Sequence, residues 1–382
     1  MRPAIIGLGT TEMSTVPGGL ATDLAAVALD RCLADAGVGL DEVDGLLVCS
    51  SQGVRPDRLG VAFAKSAGFG SLRLLEHIEI KGASTVAMLE HAVLGIAAGL
   101  AHSVVCLFAD APLRDGRRTG STYTNSGGTI GSRGLERASG LLGSVPTYAM
   151  LASRYLAVTG TPEDALGAVA VSARQWAVDN PLAVSREPLD RDGYLASPVI
   201  STPLRRLDCA RPVNGAVAVL VSDRRPNSHR PVLVAGMGSE HPVRRRRGPD
   251  ESWFGGGGGA ARQALAAAGR TVGDVDVVEI YDPFSIVTLC LLEEYGFAEA
   301  GAAGPMAIAG ELAPGGRLPT NTGGGQLSGF YLQGMTPVVE AVDQLRGTAG
   351  ARQVEAAGCA FVGGIGGRMD HHACLVLETE GR

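Results

Sequence analysis

Short apolar runs and segments of helical periodicity follow one another along this chain in regular alternation, the pattern of an α/β protein. Ala4-Ile5-Ile6-Gly7-Leu8-Gly9 reads as a strand ending in glycines. Residues 21–37 repeat apolar positions at helical spacing, which predicts a helix with Leu24, Ala25, Val27, Ala28, Leu33 and Ala34 inside and Gly37 as its stop. Gly45-Leu46-Leu47-Val48-Cys49 is a buried strand. Ile78-Glu79-Ile80 predicts a further strand that turns at Gly82 into a buried helix running to Leu100. Ser84-Thr85 is placed to cap that helix, and Ala83, Ala87, Ala92, Ala97 and Ala98 let it pack closely. Helices are predicted over residues 147–155 and 165–177, the second opened by Pro162-Glu163-Asp164, and a buried strand over residues 216–221.

The same order recurs. Residues 232–240 resemble residues 4–12, a helix follows at 259–269, and Val275-Asp276-Val277-Val278-Glu279-Ile280-Tyr281 mirrors Val43-Asp44-Gly45-Leu46-Leu47-Val48-Cys49. Residues 318–325 and a helix at 335–345 mirror the corner and helix of residues 78–100. Two similar halves, 1–225 and 226–382, are therefore expected to pack about a pseudo-two-fold axis with their corners meeting near the centre. A loop region over about 111–200 interrupts the first half. Within it residues 115–145, rich in Gly, Ser, Thr and Arg, predict either a functional loop over a site or a dimer contact.

Composition narrows the classes. With 45% hydrophobic and 19% charged residues in 382, the chain has the make-up of a folded protein large enough for two such units. Its net charge is −6 despite the run Arg244-Arg245-Arg246-Arg247, and its basic residues carry no interleaved aromatics, so nucleic-acid binding is not expected. That run reads as a solvated loop or as a docking surface for an acidic partner or for phosphates. No apolar segment approaches the roughly 20 residues of a membrane span. Ala4-Ile5-Ile6 follows Met1 with no basic region, so no signal peptide is expected and the protein is placed in the cytoplasm. Seven scattered cysteines without a C-x-x-C pair predict neither disulfides nor a metal site. Gly7-x-Gly9, with Glu12 and no helix directly after it, argues against dinucleotide binding.

Several segments together resemble the thiolase superfamily and, within it, the sterol-carrier-protein-x-type branch: Asn180-Pro181, Tyr194-Leu195-Ala196-Ser197, Pro203-Leu204-Arg205-Arg206-Leu207-Asp208-Cys209 and Asn214-Gly215-Ala216. Asn214 stands where that branch usually has Asp. The resemblance implies a five-layer α-β-α-β-α sandwich, a homodimer formed through the N-terminal sheets, and a coenzyme A or carrier-protein thioester as substrate, with no cofactor bound by this chain. It also locates three departures. The nucleophilic cysteine falls on Ala83, the Asn-Glu-Ala-Phe or His-Asp-Cys-Phe block on Tyr281-Asp282-Pro283-Phe284, and the Gly-His-Pro block near Gly329-Phe330-Tyr331-Leu332-Gln333-Gly334, after a retained Asn321-x-x-Gly324-Gly325. Cys359-Ala360-Phe361-Val362-Gly363-Gly364 falls on the C-terminal Cys-x-Gly block only when shifted, and the residues at the expected place read as a glycine-rich turn. Loss of the cysteine with gain of two tyrosines resembles the steroid side-chain aldolases, which cleave β-hydroxyacyl-CoA thioesters and work with a small zinc-ribbon and OB-fold partner. Any zinc would then belong to the partner.

Retro-aldol cleavage needs a base for the β-hydroxyl proton, stabilisation of the thioester enolate, and an acid for its α-carbon. It needs no nucleophile. On this resemblance Tyr331 is assigned as base and Tyr281 as acid, the reverse remaining open, and helix N-termini at the glycine corners are expected to lower a tyrosine pKa. Asp282 would orient Tyr281 or cap the following helix. Asn321 would hold a water in an oxyanion hole or shape the glycine turn. Ala83, Ser84, Gly324, Gly325 and His372 are expected around the substrate, with His371 at the surface. Two other readings stay open: an acyl transfer or condensation, in which Ser84 or another cysteine acylates with Lys81 as the only local base, and a non-catalytic scaffold.

Overall fold

A computed structural model describes residues 2–51, 56–116, 131–225, 230–242, 256–367 and 369–380. The Arg244-Arg245-Arg246-Arg247 run, residues 117–130 and residues 226–229 at the expected start of the second half lie outside the described residues.

Strand β1 (Ala4–Thr10) shows why the chain opens on a Gly-x-Gly. A Cβ on Gly7 or Gly9 would run into the backbone of helix α1 (Ala21–Ala36) at Cys32 and Ala28. The helix therefore seats its own backbone on the strand, and its buried face is Ala21, Ala25, Ala28, Leu29, Cys32 and Ala36. The expected inner face is thereby rotated: Val27 and Ala34 point to solvent. The helix ends at Gly37, in the left-handed region at φ 67°. The second half repeats the device. Gly236 and Gly238 of β8 (Val232–Glu240) would meet the backbone of α9 (Gly258–Ala268) at Ala264 and Ala260.

Between these come β2 (Gly45–Val48), α2 (Pro56–Leu59), α3 (Val61–Ser66), β3 (Leu74–His77), α4 (Ser84–Ala97) and β4 (Ser103–Asp110). The loop region holds α5 (Gly131–Ala138), which periodicity did not predict, then α6 (Val145–Thr159), α7 (Asp164–Ala177) and α8 (Arg191–Leu195). A hairpin of β5 (Val199–Ser201) and β6 (Leu204–Arg205) and the buried β7 (Gly215–Ser222) close the first half. After α9 follow β9 (Val277–Ile280), α10 (Ser285–Glu294), α11 (Ala303–Ile308), α12 (Met335–Arg346), β10 (Cys359–Gly366) and β11 (His371–Thr379). The strand expected at Ile78-Glu79-Ile80 lies four residues earlier, as β3. It pairs in parallel with the four-residue β2, and after the Ile78 N–H reaches Val48 O no partner strand remains.

The strand order is β3-β2-β4-β7-β1-β8-β11-β10-β9. From the middle outward, β1-β7-β4 run antiparallel and β4-β2-β3 parallel, while β8-β11-β10 run antiparallel and β10-β9 parallel, with Thr320 adding a parallel bridge beyond β9. The two halves thus have one topology, and they join where Ala4 and Ile5 pair with Leu233 and Val232. Helices α4 and α12 touch each other, and α4 packs on both halves of the sheet, while α1 and α9 cover the outer faces. This is the five-layer arrangement expected from the resemblance. The loop region covers the second half. Tyr155 donates to Glu293 at 2.6 Å, the Trp176 indole N–H to Leu312 O at 2.9 Å, and the Asn180 amide to Gly323 O at 2.8 Å.

At Gly9 and Gly238 the obstructing atoms are helix backbone and cannot turn aside. Gly238→Val is expected to destabilise the protein by at least about 2 kcal/mol in urea unfolding, whereas Gly273→Ala, in an open turn, should change stability by less than about 0.5 kcal/mol.

Candidate active site

The two glycine corners meet, as their sequence patterns predict. Gly334, which precedes α12, lies so close to the start of α4 that a Cβ there would strike Thr85 Oγ1 and approach Gly82 O to 3.1 Å. Two buried helix N-termini therefore face one region. Gly82 has a further reason to be glycine. The ring of Tyr281 lies on it, so that a Cβ would stand 2.6 Å from Cζ and 2.9 Å from the hydroxyl. The strained backbone at this corner belongs to Lys81, at φ 58°, and not to the glycine.

Tyr281 leaves the end of β9 with its N–H still bonded to Gly363 O at 2.8 Å, so the sheet fixes its backbone. Tyr331 follows the wide π-helical turn of residues 325–329 and pairs in parallel with Pro212. The two hydroxyls are 2.9 Å apart and the rings are tilted by 55°. Burial raises the Tyr331 pKa above its ordinary value and Asp110 at the end of β4 adds to this, while the Tyr281 hydroxyl opposes it by bonding to the charged form. The lowering expected from the helix ends is not found: the net direction is upward, with desolvation as its main cause. Tyr331 opens onto a cavity of ≈ 740 Å³ whose wall includes Val145, Leu207, Phe284 and Leu327. Leu142, Gly143 and Ser144, from the described end of the glycine-rich segment, also line it. Tyr148 stacks on Phe284 at 4.4 Å behind that wall.

The other expected residues sit around this pair in supporting positions. Asp282 does not cap α10, whose first residue is preceded by Phe284 without a side-chain cap. Its carboxylate instead accepts the Gln326 N–H at 2.7 Å, under the turn that leads to Tyr331. Burial pushes that carboxyl up to about 8, partly offset by bonds from the backbone N–H of Gln326 and the Asn321 side chain. Asn321, at φ 51°, accepts the Ile280 N–H through Oδ1 at 2.8 Å and so ties the turn to β9. Gly324 and Gly325 face inward, toward Ala177 and the Asp282 carboxylate. His372 lies with Nδ1 3.1 Å from the Tyr295 hydroxyl, and burial holds its pKa down at about 4. His371 lies against His241, 3.1 Å between their Nδ1 atoms.

Nucleophiles are poorly placed. Ala83 is fully buried at the start of α4. Ser84 accepts the Ile80 N–H at 2.8 Å and braces the corner in place of capping the helix. Cys359 begins β10, at the opposite end of that strand from Gly364 and Gly366, the residues that pack on Ala83 and Ile80. Cys209 does line the cavity, but burial pushes its thiol up to about 12. Sequence reasoning missed Gly82 as the seat of Tyr281, and it missed Arg174, which packs beneath the turn with Nε 3.0 Å from Ser328 Oγ. No periodicity marks either contact, because both partners lie far away in the chain.

A family model described as thiolase C-terminal domain-like matches residues 249–379. The chain is 34% identical to 17-hydroxy-3-oxo-4-pregnene-20-carboxyl-CoA lyase of Mycobacterium tuberculosis, over 91% of this chain and 92% of that one. It is 31% identical to the steroid side-chain-cleaving aldolase of Thermomonospora curvata, over 91% and 90%. The solved structure of the Ltp2-ChsH2(DUF35) aldolase superposes with a TM-score of 0.88 at 29% identity, covering 100% of this chain and 98% of that one. With its duplicated α/β halves, its central helix pair and these relatives, the chain belongs to the thiolase superfamily, as a sterol-carrier-protein-x-type thiolase-like protein grouped with the steroid side-chain-cleaving aldolases.

Proposed function

We propose that this protein is a carbon–carbon lyase that cleaves a β-hydroxyacyl-CoA by retro-aldol chemistry, with the Tyr281–Tyr331 pair as its acid and base. The observation that carries the reading is the 2.9 Å contact between the two hydroxyls at the edge of the cavity, in a site where Ala83 replaces a nucleophile. The names of the relatives, a CoA lyase and an aldolase, support it. In the cycle, Tyr331 as phenolate takes the β-hydroxyl proton and the Cα–Cβ bond breaks. The β-carbon leaves as a ketone or aldehyde, and the electron pair passes into the thioester enolate. The N–H groups at the two helix starts stabilise that enolate. Tyr281 then protonates the α-carbon and recovers a proton from Tyr331 across their hydrogen bond, which resets the pair. Atoms and charge balance without a cofactor in these steps.

Asp282 and Asn321 are positioning residues in this scheme, holding the turn that aims Tyr331. The ChsH2(DUF35) named with the Ltp2 aldolase supports a partner protein for this chain; a zinc-ribbon and OB-fold build for that partner and a homodimer of the chain itself are part of the proposal. Acyl transfer is the weaker reading, since Ser84 is occupied and the Cys209 thiol stays protonated at neutral pH.

Tyr331→Phe and Tyr281→Phe should each lower cleavage of a β-hydroxyacyl-CoA by about 10²- to 10⁴-fold, read as release of ketone or aldehyde by mass spectrometry with and without the partner protein. Unchanged rates in both variants would defeat the proposal, and a stable acyl adduct on the intact protein would favour acyl transfer. Because burial raises Tyr331, its phenolate is a minor species at neutral pH, and kcat/KM should climb by up to about tenfold per pH unit on the alkaline side. A flat profile would count against a tyrosine base.

Asp282 adds a stability signature. A carboxyl raised from 3.8 to about 8 is protonated in the folded protein while the unfolded chain has lost that proton, so stability falls as pH rises through this window. Urea unfolding of Asp282→Asn should lack most of that fall, and an unchanged slope would place the titration elsewhere.

A further inference from the structure

Three side-chain oxygens carried by separate segments have no hydrogen-bond partner among the described residues: Ser172 Oγ on α7, Thr288 Oγ1 on α10 and Asp282 Oδ2 just after β9. All three residues line one small space. They are 5%, 2% and 1% exposed, so bulk solvent does not serve them. The space measures ≈ 10 Å³, about the room of one water molecule, and it shares no residue with the ≈ 740 Å³ cavity onto which Tyr331 opens. The two hydroxyls depart from the habit of their residue types. A helical Ser or Thr commonly donates back to the carbonyl four residues earlier. Ser139, Ser153 and Thr159 do so here, at 2.9, 3.0 and 2.8 Å. Ser172 and Thr288 are more deeply buried and forgo that bond. Asp282 commits Oδ1 to the Gln326 N–H at 2.7 Å, and Oδ2 is the oxygen without a partner.

We infer that Ser172, Thr288 and Asp282 bind one buried water molecule, which links α7 and α10 to the turn that aims Tyr331. A gap left by imperfect packing is lined by apolar groups and stays dry, whereas oxygens from three segments line this one. One water carries two donors and two acceptors, so each of the three oxygens gains a partner whether Asp282 is ionised or not. The link matters because two supports reach the turn separately. Asp282 holds the Gln326 N–H, and α7 sends Arg174, two residues beyond Ser172, to Ser328 Oγ at 3.0 Å. The water joins these supports behind the turn, which makes Ser172 and Thr288 positioning residues for Tyr331. That positioning role rests on the lyase reading; the water site does not.

The test begins with high-resolution crystal structures of the full chain as wild type, as the Ser172→Ala/Thr288→Val double variant and as Thr288→Ser. Wild type should show a single density peak about 2.6–3.2 Å from Ser172 Oγ, Thr288 Oγ1 and Asp282 Oδ2. Thr288→Ser keeps a hydroxyl and should keep the peak, and the double variant should lose it. No peak in wild type, or one that survives the loss of both hydroxyls, would overturn the site. The positioning role has its own readouts. Without the water Asp282 loses a donor to its charged form, so its titration, followed by carboxyl ¹³C NMR, should move upward in the double variant. In the same variant kcat for cleavage of a β-hydroxyacyl-CoA should fall about tenfold with KM unchanged, and Thr288→Ser should restore both values. If the double variant does not fold, Thr288→Val alone, which preserves side-chain shape, serves the same readouts. Unchanged titration together with unchanged kcat would overturn the link to the turn. A density peak and a titration shift in a protein that cleaves nothing would remove the lyase reading and keep the site. Cleavage in wild type without the peak would do the reverse.

Discussion

Tyr281 reaches Tyr331 only because residue 82 has no side chain. The phenol ring occupies the space that a Cβ would fill, and the turn there is pressed from the other side by Gly366, whose own Cβ would strike Ile80 O. A corner built at backbone distance cannot adjust to a larger residue. The position of α4, the seat of the tyrosine and the approach of β10 therefore depend on one another. The same logic holds one layer out, where Gly7, Gly9, Gly236 and Gly238 bring each outer helix onto its strand by backbone contact.

Beneath the turn that carries Tyr331, the chain buries an unusual amount of charge. Glu340 pairs with Arg352 at 2.9 Å, both nearly inaccessible, and Thr322 bridges Glu340 to Glu279 through bonds of 3.1 and 2.8 Å. Burial and the nearby Glu340 push the Glu279 carboxyl well above the usual range. Such groups cost free energy to desolvate and are tolerated where every partner is in place. They give the turn a unique geometry and so hold Asn321 and Asp282, which bond to each other and to backbone N–H groups, in a fixed relation to the reactive pair. A tyrosine acting as base has a high pKa to overcome, and a rigid neighbour donating one hydrogen bond at 2.9 Å is a direct means of stabilising its charged form.

Much of this was legible in the chain itself. The duplication follows from matching apolar runs, and the two corners meet because each half places its corner in the same topological position. Ala83 in place of a nucleophile, with tyrosines at 281 and 331, pointed to chemistry without an acyl-enzyme. The supporting residues were read less well. Ser84 and Asp282 looked like helix caps from their spacing alone, yet each bonds across the corner or the turn, because the competing partner comes from another segment. His372 points to Tyr295, and Cys359 is displaced along β10 by the register with β11.

What the sequence determined by itself is local and periodic: the order of strands and helices, the repeat, the glycines, and the absence of a thiol at residue 83. Tertiary structure alone decided which phenol meets which, which carboxyls burial pushes above their ordinary pKa, and which side chains line the cavity wall. The reason is physical. Propensity and periodicity act over a few neighbouring residues, whereas a hydrogen bond between residues 50 positions apart, or the desolvation of a carboxyl, exists only once distant segments have packed together.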